Sequence, residues 1–273
     1  MVNQQQDRTR TLLLSVGFVI VFLILLIGLS FFKNFLSSSL ERYAHGICGI
    51  IAAVAATWIF LRIEKKSFSD IGLKWESKTF KRFLIGLAIG FAIAAIMIFS
   101  QVIYSGLKVE MAANYNIINF IIWSLALLPL AFMEEMAFRG YPFVKMNRSF
   151  GVWITQITIA VLFALYHIVN GWSVEGSFTG PGIWSLAFGL AALVSGGIAM
   201  PTGLHFGVNM ILAAVGGKKD LPSILKIDFA GAASKEMVQD SERFGLILHF
   251  VLLIACLIAT AWFARRKNAA TVL

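Results

Sequence analysis

Long apolar runs separated by short polar stretches dominate the chain. They fall at about 12–32, 44–61, 83–104, 117–138, 152–170, 183–199, 203–216 and 246–264. Most have the ~17–25 residues that a helix needs to cross a bilayer. The pattern predicts an all-α, polytopic membrane protein with about eight transmembrane helices, read as a single membrane domain over 1–273. The seventh run is short, and Pro201 and Gly203 blur its start, so seven spans is the fallback. Phe31, Phe32 and Lys33 follow the first run where a signal peptide would carry small residues, so it reads as a retained span.

Composition strengthens this reading. Hydrophobic residues make up 59% of the chain, charged residues only 14%, and mean hydropathy is +0.82, whereas soluble domains are about 25% charged. The net charge of +9 would suggest nucleic acid in a soluble protein. Here the cations lie between apolar runs, which points to membrane topology and anionic lipid instead. With the N-terminus inside, the inner segments hold Arg8 and Arg10, seven cations from Arg62 to Arg82, then Arg139, Lys145, Arg148, Arg265, Arg266 and Lys267. That is 15 of the 23 basic residues, and it predicts both termini in the cytoplasm of a multi-pass cell-membrane protein. Trp153, Trp172, Trp184 and Trp262 lie near run ends, as interfacial anchors do. The basic segment 62–82, with Asp70 and Trp75, reads as a solvated loop; an interfacial helix is the alternative. Cys48 and Cys256 both sit in apolar stretches, which excludes a disulfide framework.

Ionisable residues inside a bilayer are costly and default to functional candidates. All five Asp residues fall in loops or tails, and of nine Glu only Glu134 and Glu135 lie within or at the end of a span. His167 and His205 sit inside runs, whereas His45 and His249 lie near run ends. Glu135 and Arg139 are i,i+4 with the acid first, the favourable order for an ion pair. Glu134 is turned by about 100°, which leaves it free for chemistry while Glu135 takes a structural partner. Phe163 and His167 share a face, and so do His205 and Asn209. A turn near Asn147–Gly151 puts Glu134 and His167 at similar distances from it, roughly 20–27 Å along their helices. That exceeds half a bilayer unless the hairpin projects into the cytoplasm, which Lys145 and Arg148 permit. Taken singly, an intramembrane His is more often a packing residue, and a Glu–Arg pair more often an anchor. Their concentration on three helices points to one shared polar site.

Several chemistries drop out. No span carries Asp, so a two-aspartate dyad is missing. HExxH is absent, no Ser has a nucleophile-turn setting, and the glycines at 171–182 and 195–207 lack phosphate-loop spacing. What remains is a carboxylate that can take a proton from water, aided by His, with His and Asn donors for an oxyanion. Glu134, His167 and His205 could also hold zinc with water in the fourth position. The metal-free reading is preferred, because no acid is evident behind either His. Two other classes stay open: a proton-coupled transporter using these residues as a relay, and a noncatalytic immunity or scaffold protein.

Glu134-Glu135-x-x-x-Arg139, Phe163-x-x-x-His167 and His205-x-x-x-Asn209 together resemble the three motifs of the CPBP family. This family holds the type II CAAX prenyl proteases and the bacteriocin-processing and immunity proteins. The resemblance covers a catalytic core of about 117–216. It implies an eight-helix intramembrane protease in which Glu134 and His167 activate water and His205 and Asn209 form the oxyanion hole. Glu135, Arg139 and Phe163 would support the site. Eukaryotic members cut prenylated tails at the cytosolic face, whereas many bacterial relatives have other targets. The implied partners are a membrane-associated peptide or protein substrate and the lipid bilayer, with no nucleic acid; prenylation of the substrate and the oligomeric state stay open.

Overall fold

Inside a bilayer every backbone polar group must be satisfied within the protein, which favours helices for these apolar runs. A computed structural model describes residues 2–37, 40–218 and 220–270, and the side chains of all of these except 2–4, 34 and 267–270. The side chain of Lys267, counted above among the inner cations, thus lies outside the described residues. The helices are α1 (Val2–Ser30), α2 (Glu41–Ile63), α3 (Thr79–Tyr104), α4 (Ile117–Ser124), α5 (Leu127–Arg139), α6 (Tyr141–Val169), α7 (Val174–Ser177), α8 (Ile183–Ser195), α9 (Ala199–Ala214) and α10 (Lys235–Ala270). The all-α reading needs one addition. Strands β1 (Leu107–Met111) and β2 (Leu225–Phe229) form an antiparallel ribbon, with Leu107 opposite Phe229 and Met111 opposite Leu225.

Among the described residues six segments, not eight, are long and apolar enough to cross a membrane: Gln5–Lys33, Glu41–Ile63, Thr79–Tyr104, Ile117–Val169, Val174–Ser195 and Lys235–Arg266. The stretch Ile117–Val169 holds both expected runs, 117–138 and 152–170, which the non-helical backbone at Gly151 divides into two arms. The run at 203–216 becomes α9, whose 16 residues rise about 24 Å at 1.5 Å each, short of a ~30 Å hydrocarbon core.

The segment Ile117–Val169 is not straight. Gly140 (ψ −117°) separates α5 from α6, and Gly151 inside α6 has φ +77° and ψ −177°, a backbone open to glycine but strained for other residues. The chain reverses at Gly151, close to the expected turn, so Phe138 meets Phe163 and Tyr166 from the returning arm. The reversal is held at one end of the bundle. There Thr11 and Ser149 exchange a hydrogen bond at 3.0 Å, Tyr141 donates to Glu64 at 2.7 Å, Lys145 pairs with Glu64, and Arg148 donates to the Asp70 carbonyl.

The segment 62–82 lies at this end and is more ordered than a solvated loop. Ser67 and Asp70 form a capping box on the 3₁₀ turn Phe68–Ile71, and Ile71 is buried. Gly72, at φ +74°, brings its backbone against the Gly196 carbonyl between α8 and α9. Phe263 of α10 shares a groove with Ser69, Asp70 and Arg148, so the two chain ends lie on the same side.

The helix carrying His205 is held by backbone contact. A Cβ on Gly203 would lie 2.0 Å from the Phe83 carbonyl, and one on Gly86 would lie 2.0 Å from that of Met200. Such close approach of α3 and α9 is what small residues permit in membranes. On the other flank, Gly46 packs against Pro129 and Gly49 against Met133, which sets α2 beside α5.

Candidate active site

Helical spacing separates the two acids as expected. The Glu135 side chain is fully buried, whereas that of Glu134 keeps 13% exposure and lines a cavity of about 940 Å³. Arg139 reaches Glu135 Oε2 from Nε at 3.4 Å, and its Nη2 donates to the Ser185 carbonyl at 3.0 Å and to Ser185 Oγ at 2.6 Å. Its guanidinium also lies over the rings of Phe163 (4.6 Å) and Phe188 (5.3 Å), a favourable arrangement for a buried cation. The predicted support group of Glu135, Arg139 and Phe163 is therefore one contact cluster.

Glu135 has a second partner that corrects an expectation. His205 Nδ1 lies 2.9 Å from Glu135 Oε1, so an acid does stand behind one of the two histidines. Because Glu135 and His205 sit on different helices and 70 residues apart, no spacing in the sequence could show it. A carboxylate only accepts, so Nδ1 carries the proton and Nε2 faces the cavity. The ring stacks on Phe188 at 4.4 Å and 15°, which fixes its plane.

His167 is oriented by its own helix. Nδ1 donates to the Phe163 carbonyl at 2.9 Å, which leaves Nε2 as the acceptor. The rings of Phe163, Tyr166 and Trp172 stand edge-on around it. Glu134 lies between the two histidines' helices: Oε2 is 3.8 Å from His205 Nε2, and Oε1 accepts from the Tyr166 hydroxyl at 3.4 Å. Glu134 Oε2 makes no hydrogen bond to the described residues. Glu134, His167, His205 and Asn209 all line the same cavity.

Zinc at this site would draw on Glu134, His167 and His205. Both histidines now have the kind of partner that orients a metal-bound imidazole, so the reason for preferring a metal-free site is removed. The placement of the side chains argues separately: among the described residues no three His, Cys, Asp or Glu groups cluster as a metal site needs.

Several cavity residues escaped the sequence reading. Tyr166 could have been suspected as a phenol inside a span beside His167, whereas Phe188 and Ser185 carried no signal. His45 and His249, placed only near run ends, also line the cavity, as does Lys218. Burial holds the Lys218 pKa below the ordinary lysine value, while Glu134 pulls it back up, Arg42 lowers it and Asp220 raises it.

Residues 116–211 match the family model described as type II CAAX prenyl endopeptidase Rce1-like. Over that segment, which contains all seven motif residues, the resemblance to the CPBP and CAAX proteases read from the motifs holds, and it supports a peptidase in a multi-pass membrane protein. No curated protein matches the chain.

Proposed function

We propose that the protein is an intramembrane endopeptidase that hydrolyses a peptide bond of a membrane-associated peptide or protein, without a metal. The observation that carries the reading is Glu134: an acceptor-only carboxylate oxygen, without a donor among the described residues, in one cavity with His167 and His205. Glu134 takes a proton from water as the water oxygen attacks the scissile carbonyl, and His167 Nε2 accepts a hydrogen bond from the same water. The proton passes to the leaving amine as the C–N bond breaks. His205 and Asn209 donate to the developing oxyanion. With Nδ1 committed to Glu135, a ring that also donates from Nε2 is the imidazolium, and its charge faces both carboxylates.

Eight passes of the membrane put both termini in the cytoplasm, with the catalytic core over 117–216 inside one membrane domain. The experiment is purification in detergent and incubation with a library of membrane peptides, with fragments read by mass spectrometry. Wild type should release fragments that Glu134→Gln does not; equal cleavage by both would overturn the proposal.

A further inference from the structure

The cavity is confined to one end of the bundle. Its wall takes Lys33 from the α1–α2 connection, Arg42 from the first turn of α2, Trp172 just after α6, Pro181 before α8, and Lys218 and Asp220 after α9. None of its lining residues comes from the end where Glu64, Asp70, Lys145 and Arg148 meet. Charge divides the same way. Among the described residues, the end away from the cavity carries thirteen basic and four acidic side chains, whereas the cavity end carries seven basic and eight acidic. Several of the latter are locally paired: Lys33 with Glu41, Arg42 with Asp220, and Lys226 with Asp228. Lys and Arg are retained on the cytoplasmic side during insertion, and acids weigh little in that bias. The basic end is therefore the cytoplasmic one, and the mouth of the cavity is on the other side.

We infer that the cavity opens on the extracytoplasmic face and takes exported or surface-anchored peptides. The inference rests on the peptidase reading for its substrate class, but not for its geometry. A tail prenylated in the cytosol would stand on the wrong face to enter.

The test uses the full chain in intact cells, with Cys48→Ala and Cys256→Ala as background and one cysteine restored at a time. Glu175→Cys and Lys226→Cys mark the cavity end, Lys78→Cys marks the basic end, and Leu212→Cys marks the cavity wall. A membrane-impermeant maleimide should label the first two in intact cells and Lys78→Cys only after permeabilisation. A small impermeant methanethiosulfonate cation should modify Leu212→Cys from outside. The reverse pattern at the ends, or modification of Leu212→Cys only from the cytoplasmic side, would overturn the inference. If the cysteine-free background does not accumulate, an epitope inserted after Gly231 in the otherwise native chain gives the same decision by antibody binding to intact cells. Labelling does not depend on cleavage, so Glu134→Gln should label identically. A failed cleavage assay with outward labelling would sink the peptidase reading alone.

Discussion

Glu135, its side chain fully buried, sits between the Arg139 guanidinium and the His205 imidazole. Replacing it by Gln keeps the shape but leaves Arg139 buried beside a neutral amide. Breaking a buried pair in this way costs about 3–5 kcal/mol. Glu135→Gln should therefore lower both thermal stability and turnover, whereas Glu134→Gln, at the cavity wall, should lose turnover with the melting temperature nearly unchanged. Thermal unfolding of both variants in detergent checks this; a stable, inactive Glu135→Gln beside an active Glu134→Gln would reverse the roles. Asn209 calls for a kinetic test. Loss of one oxyanion donor costs on the order of 10²–10³ in turnover, and the oxyanion exists only in the transition state. Asn209→Ala should lower kcat by about that factor with KM nearly unchanged, and Asn209→Asp should be at least as damaging. A full kcat with weakened KM would place Asn209 in ground-state binding instead.

Helices transmit these demands to the backbone. The α3–α9 seam leaves no room for a side chain at Gly203, where an added Cβ would sit 2.0 Å from the Phe83 carbonyl. Overpacking of this kind costs about 1–3 kcal/mol, and here it would push α9 and His205 away from Glu134 and Glu135. Gly203→Ala should thus lower both stability and cleavage, measured by melting and by the fragment assay. At the basic end Glu64 links α2 to α6. Burial works against its charge, yet hydrogen bonds from Lys145 and Tyr141 outweigh that and hold its pKa below the ordinary 4.5. A depressed acid stabilises the fold above its unfolded pKa and loses that contribution as pH falls through the folded value. Melting temperature should accordingly drop as pH falls below about 4.5, and Glu64→Gln should flatten that slope. The helical spacing made the Glu135–Arg139 pair and the shared face of His205 and Asn209 legible in the sequence. The His205–Glu135 bond and the stacking on Phe188 were not, because they join helices whose relative rotation is set by glycine seams and aromatic packing.

Apolar runs made the membrane class plain, and the turn near Gly151 was readable from polar residues around a glycine. The number of spanning segments was less so. Hydropathy does not show that α9, inside the bundle and backed by α3, needs less apolar length than a helix facing lipid. The basic asymmetry predicts that reporters fused to either terminus behave as cytoplasmic: a fluorescent protein should mature there and a periplasmic phosphatase should stay inactive. An active phosphatase at the C-terminus would mean an odd number of passes. The two-stranded ribbon adds a constraint of another kind. β1 precedes α4 and β2 follows α9, so the strands bracket the entire segment that bears the site residues and pair its entrance with its exit. Closing so long a loop is entropically unfavourable before its interior is packed, although the cost grows only logarithmically with length. During synthesis the N-terminal parts emerge first, and β2 reaches β1 only after every motif residue has been made. The ribbon is thus a clasp that can close only after the whole catalytic segment has been synthesised. A chain ended at residue 224 would contain every candidate catalytic group and still lack the fastening that holds the two ends of that unit together.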